Sequence, residues 1–206
     1  IAPWVDRVAY AVLHHPGGVL DLPDLPDLAD APLRLDSRAD ADRRAAARRL
    51  TQALKAVPWT TACRLFDEIE RQAGTALPDA LWQAQTLREE HLRALVSQGM
   101  EIGAHSESHC VMSRVSDVRQ LHREIAQCRH ELTEMAGAPV TAFAYPHGER
   151  DFISDAAVRM VQEAGYDFAT TAAWGDHGVN RVSRLDPFSM RRFLPWPTLQ
   201  LSVLKA

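Results

Sequence analysis

Met100-Glu101-Ile102-Gly103-Ala104-His105-Ser106-Glu107-Ser108-His109 is the stretch that decides how this chain is read. Gly99 stops the helix before it, and Met100 to Ala104 then reads as a buried strand. The strand delivers two imidazoles four residues apart. His105 and His109 lie on one face if the segment makes a helical turn, close enough to share a metal ion. Neutral imidazole suits Zn²⁺, Ni²⁺, Co²⁺ or Fe²⁺. Two unrelated polar histidines in a loop are the alternative, and a mononuclear site still needs a third protein ligand.

Downstream, the rhythm is helix and strand in turn. A long helix opens at Ser116 as N-cap and carries Val118, Leu121, Ile125, Cys128, Leu132 and Met135 as its apolar stripe. Gly137 closes it, and after Pro139 a strand runs from Val140 to Tyr145. Ser154 caps the next helix, with Val158, Val161 and Ala164 inward, and Tyr166 to Thr171 forms a further strand. Phe188 to Leu194 reads as another. This alternation predicts right-handed β/α units on a parallel sheet or barrel, an α/β fold with its chemistry at the C-terminal strand ends. Tyr145-Pro146-His147-Gly148 follows such an end, where a rigid turn can aim a backbone N–H at a ligand. Read alone, it is equally a loop shaped by its Pro and Gly.

Upstream, Val5, Val8, Ala9, Val12 and Leu13 predict a helix broken at Pro16-Gly17-Gly18. Two short β-like runs, 19–22 and 33–35, flank the proline-marked loop at Pro23 to Asp27. Asp36 or Ser37 caps a helix reaching Val57, and another carries Ala62, Leu65, Phe66, Ile69 and Ala73 to a stop at Gly74. The Arg43-Arg44 and Arg48-Arg49 pairs sit behind Asp36, Asp40 and Asp42, which reads as a solvated helix matched to its dipole. The 206 residues are 46% hydrophobic and 24% charged with a net charge of −4, which excludes a disordered tail and disfavours polyanion binding, nucleic acid included. Val8 to Leu13 is far too short to cross a membrane. Cys63, Cys110 and Cys128 imply no disulfide framework.

Together the two segments resemble the polysaccharide deacetylase family, also known as the NodB-homology or carbohydrate esterase family 4 group. His105-Ser106-Glu107-Ser108-His109 matches its second motif, H-[ST]-x-x-H, at every specified position. The third motif is often R-x-P-[YFW]-G; here Ala144 replaces the Arg and His147 the aromatic. Phe143-Ala144-Tyr145-Pro146, Ala164-Gly165-Tyr166, and Asp186-Pro187-Phe188 leading to Arg191-Arg192 resemble the exopolysaccharide, biofilm poly-N-acetylglucosamine deacetylase branch. The resemblance implies a partial, distorted (β/α) barrel. Residues 1–206 would form one domain lacking its first strand, with a hairpin and helical insertion at 14–85 and the barrel part at 86–206.

The resemblance also implies metal-dependent removal of acetyl groups from a polysaccharide or oligosaccharide. His105 and His109 would be the metal ligands, with zinc first and nickel, cobalt or iron as alternatives. The His147 N–H would hold the oxyanion, Tyr145 and Pro146 would shape the wall, Arg192 would orient carboxylates and Trp174 would meet the sugar. The family's T-F-D-D-G motif supplies a metal-binding Asp and the general base, yet no Asp-Asp pair occurs in this chain. The late L-x-H motif has no counterpart either, His177 being the only downstream His. The expectation is therefore the C-terminal part of a longer deacetylase, inactive by itself, in the cytoplasm or the cell envelope. Two rivals remain: a carbohydrate-binding module using aromatics such as Trp174, Trp196 or Tyr145, and a hydrolase of another barrel family with Asp151, Asp155 or Asp176 as third ligand. A structural zinc site pairing Cys110 with His109 is a third.

Overall fold

Eleven residues from Trp4 to His14 form α1, whose apolar positions fall on one face and bury Trp4, Val8, Ala11 and Val12. A computed structural model describes this helix and the rest of residues 2–26, 32–35, 39–174 and 186–192. A two-residue antiparallel hairpin follows, β1 (Val19–Leu20) against β2 (Leu33–Arg34). Helices α2 (Asp40–Ala56) and α3 (Trp59–Ala73) both pack on α1. The expected caps Asp36 and Ser37 lie outside the described residues, and α2 starts behind Ala39. Gly74 ends α3 in the left-handed conformation, as its sequence predicts.

A short helix, α4 (Asp79–Gln85), has no counterpart in the periodicity because it buries none of its residues. Next, α5 (Glu89–Ser97) leads to Met100–Ala104, and here the expected buried strand is corrected. Only Ala104 pairs, in a single parallel bridge to Phe143, while Met100 is 53% exposed. A strand needs a ladder, and beyond Ala104 no described neighbour supplies one.

The long helix is also corrected. Its N-cap is Asp117, whose side chain accepts from Arg119 N–H, and not Ser116. It runs as α6 (Val118–His122), a π turn over Arg123–Gln127, and α7 (Cys128–Ala136) closed by Gly137. Leu121 and Ile125 are buried, whereas Val118 and Met135 at the ends of the expected stripe are exposed.

Three parallel strands then form the sheet in the order β3 (Ala142–Ala144), β4 (Phe168–Trp174), β5 (Met190–Arg192). Between β3 and β4 lies α8 (Asp155–Glu163), capped by Ser154 Oγ, which accepts from Ala157 N–H at 3.2 Å. Phe143 pairs with Ala169, and Phe143, Tyr145 and Tyr166 join Leu121, Ile125 and Val161 in the core. One apolar cluster runs from Trp4 to Ala169, joining the N-terminal helices to the sheet. No helix among the described residues is long and apolar enough to cross a membrane.

Candidate metal centre

The two segments singled out in the sequence meet at the C-terminal end of β3. Ala104 N–H donates to Ala142 O at 2.9 Å and Ala104 O accepts from Ala144 N–H at 2.8 Å, which sets the two loops side by side. His105 Nδ1 lies 2.7 Å from Ala144 O. A carbonyl only accepts, so Nδ1 carries the proton and Nε2 keeps its lone pair, the tautomer that a metal-binding histidine needs.

His109 stands edge-on to His105, with ring centroids 4.9 Å apart. Its peptide is clamped from both sides: the N–H donates to Ser106 Oγ at 3.0 Å, and the carbonyl accepts from Trp4 Nε1 at 2.9 Å. Trp4 is itself stacked on Phe66, so α1 and α3 brace the loop. Ser106, His109 and His147 adopt φ of 64°, 58° and 60°, and they are the only non-glycine residues with positive φ among those described. Such conformations persist where surrounding contacts over-determine them, a pattern that marks functional turns.

The family resemblance implies only a backbone role for His147, and the structure adds its ring. The imidazole stands 4.7 Å from that of His109, edge-on, and is flanked by Trp4 and Phe152 at 6.0 and 5.7 Å. His109 Nδ1 and His147 Nε2 are buried without hydrogen-bond partners. Burial, followed by the charges of His105 and Lys55, pushes His109 down to about 4. Burial, then Lys55 and the other two histidines, pushes His147 down to about 3. Both rings are therefore neutral near pH 7 and offer lone pairs, the chemistry that a divalent transition metal takes up. A third histidine behind a strand's C-terminal end was the signal that could have found this ring.

The turn itself is built on Gly148 at φ 69°, where a Cβ would lie 2.4 Å from Ala172 N. Its carbonyl accepts from Ala172 N–H at 2.7 Å, tying the turn to β4. The His147 N–H has no acceptor among the described residues. Pro146 is buried, and so is Tyr145, whose hydroxyl donates to Phe188 O at 3.1 Å. Tyr145 thus supports the turn from beneath, without a ring face for a sugar.

Other expected residues fall elsewhere. Asp151 and Asp155 are exposed, and no group of three or more His, Cys, Asp or Glu is placed to hold a metal among the described residues. That removes both as third ligands, and Asp176 lies outside the described residues. Cys110 is buried with its thiol toward Met112 Sδ, and burial raises its pKa, which corrects the structural zinc pairing with His109. Trp174 and Arg192 pair in backbone register across β4 and β5, and their side chains lie outside the described residues together with His177 and Trp196. The residues present thus bring three imidazoles together, of which His109 and His147 are neutral near pH 7.

The family model for polysaccharide deacetylase matches residues 48–169. No curated protein matches the chain. Among solved structures, BA0330 of Bacillus anthracis and the polysaccharide deacetylase BC0361 of Bacillus cereus each share 22% identity over 52% of this chain, with a TM-score of 0.43. The deacetylase PplD of Streptococcus pyogenes, in complex with acetate, shares 17% identity over 58% of it, with a TM-score of 0.48. The matches span 32% of each Bacillus chain and 49% of the Streptococcus one.

Proposed function

The chain belongs to the polysaccharide deacetylase family, and from that premise we propose that it carries the two-histidine half of a site that hydrolyses acetyl groups from an acetylated polysaccharide. The observation that carries this reading is His105, its tautomer fixed by Ala144 O, facing a neutral His109. His105 Nε2 and a nitrogen of His109 would hold a divalent ion, zinc first. When bound, the ion supplies Lewis acidity toward an acetyl carbonyl and activation of water.

The chain's own groups do the rest. The His147 N–H, without an acceptor of its own, donates to the oxygen that gains negative charge as the carbonyl is attacked. Pro146 and Gly148 hold that N–H in a turn fixed to β4. Arg192 orients carboxylates and Trp174 meets the sugar in this reading. The cleaved bond is the acetyl C–N of an N-acetylated sugar, or the C–O of an O-acetylated one. Phe143-Ala144-Tyr145-Pro146 supports a substrate of the exopolysaccharide type. The sheet and α8 correspond to part of a distorted (β/α) barrel, with 14–85 as a helical insertion into it.

The sequence holds no Asp-Asp pair, and no carboxylate among the described residues joins the histidines. With two histidines and no carboxylate to hold the ion, and no base positioned to take the proton of attacking water, the chain alone is expected to bind metal weakly and turn acetylated sugar over negligibly. Incubation with Zn²⁺ and an acetylated chitooligosaccharide, followed by acetate release, tests this. Turnover at the rate of an intact family member would overturn the claim that the base is missing. Sugar binding without metal uptake would favour a non-catalytic carbohydrate-binding module instead.

A further inference from the structure

Glu124 is a fully buried carboxylate that the proposed chemistry does not use. Three residues after Leu121 and next to Ile125, it falls on the inward side of the helix, where an apolar residue is expected. It lies within the π turn over Arg123–Gln127, in which Glu124 and Ile125 are both buried. π turns are rare and concentrate at functional sites.

Every partner of Glu124 is a hydrogen-bond donor. Its Oε2 accepts from Ser108 N–H at 2.9 Å, and its Oε1 accepts from Ser108 Oγ at 2.6 Å and from Gln120 Nε2 at 2.7 Å. No basic side chain pairs with it in any ion pair described. A buried carboxylate satisfied by neutral donors gives short, directional bonds that fix the donors in return. Two of the three donors belong to Ser108, the residue before His109.

We propose that Glu124 is the positioning residue of the two-histidine loop. It anchors Ser108 so that the left-handed His109 turn is held with its ring facing His105. Ser106 Oγ and Trp4 Nε1 fix the His109 peptide itself, and Glu124 fixes the peptide before it; removing the carboxylate releases one of three clamps on a turn that is strained without them. The proposal rests on the metal-dependent reading above and deepens it. Its consequence is read in metal affinity, because two ligands on a loosened loop no longer share a fixed geometry.

The test titrates the metal-free chain with Co²⁺ and follows the visible d–d absorption, which reports ligand geometry directly. Glu124→Gln is expected to weaken Co²⁺ binding by about tenfold and to change the band shape. Leu33→Val, a core truncation in the β1–β2 hairpin, which holds none of these clamps, should lower stability while leaving both unchanged. Should Glu124→Gln fail to fold, Ser108→Ala removes one donor and keeps the carboxylate buried, with a smaller loss in the same direction. An unchanged Co²⁺ affinity and band in the folded variant, or an equal loss in Leu33→Val, overturns the positioning role while the metal reading stands. Absence of any Co²⁺ uptake by the parent chain overturns the metal reading itself, and this role with it.

Discussion

A histidine with a ring nitrogen buried and without a hydrogen-bond partner holds its proton poorly, and His109 Nδ1 and His147 Nε2 both sit this way. Their folded pKa values lie near 4 and 3, below the ordinary 6.5. As pH falls the unfolded chain takes up the protons first, so folding stability is complete above about pH 6.5 and declines on the way to pH 4. Urea unfolding in EDTA at pH 7.5 and pH 5 should show this loss. His147→Asn, which tolerates the same positive φ, should make the decline shallower by about one linked proton. Gly148 sets a second expectation. A methyl group there meets Ala172 N at 2.4 Å, so Gly148→Ala should cost roughly 2 kcal/mol in urea unfolding through backbone displacement and φ strain. The approach of His105 to His109 was legible in the sequence because residues four apart share one face of a turn. The His147 ring was not, because spacing assigns a turn its backbone conformation and says nothing of where its side chain goes.

At the scale of elements, Arg129 on α7 ties three pieces together. Its Nε donates to Val140 O at 2.8 Å, before β3, and its Nη1 donates to Ala164 O at 3.1 Å, at the end of α8. The guanidinium also lies over the Tyr166 ring. Arg129→Ala leaves both carbonyls without this donor and should destabilise the chain by about 2 kcal/mol in urea unfolding. Arg129→Lys should not restore it, since an ammonium cannot span both carbonyls in a fixed fork. Helices α1, α3 and α8 were legible because burial and periodicity agree along their length. The strand expected at Met100–Ala104 failed because an apolar run specifies a strand only where a neighbour completes its ladder, and only Ala104 finds one. Glu124 was hidden for a different reason: a Glu on the inward side reads as a gap in the apolar stripe, and the Ser108 donors that satisfy it belong to a separate loop. With six of its seven residues exposed, Leu81 included, α4 has no apolar face to announce it.

Over the whole molecule, the candidate centre is held by parts distant in sequence: α1 through Trp4, the π turn through Glu124, and β3 through Ala144. A metal that binds only when these are assembled must stabilise the fold by linkage. Zn²⁺ at a hundred times its dissociation constant should add about 2.7 kcal/mol, roughly 5–10 °C in a thermal melt, and EDTA should reverse it. His105→Ala should abolish the shift. The α/β class was legible in the sequence from alternating elements, whereas the joining of the N-terminal helices to the sheet through one apolar cluster was not, since no local pattern encodes which faces meet. The indole of Trp4 gives this assembly an optical consequence. It is buried against Phe66, bonded to the His109 carbonyl and edge-on to His147, so its excited state lies within collisional reach of whatever occupies the histidines. A paramagnetic ion such as Co²⁺ should quench its emission, and Trp4→Phe should remove that share of the quenching, so the chain carries its own fluorescent gauge of the site.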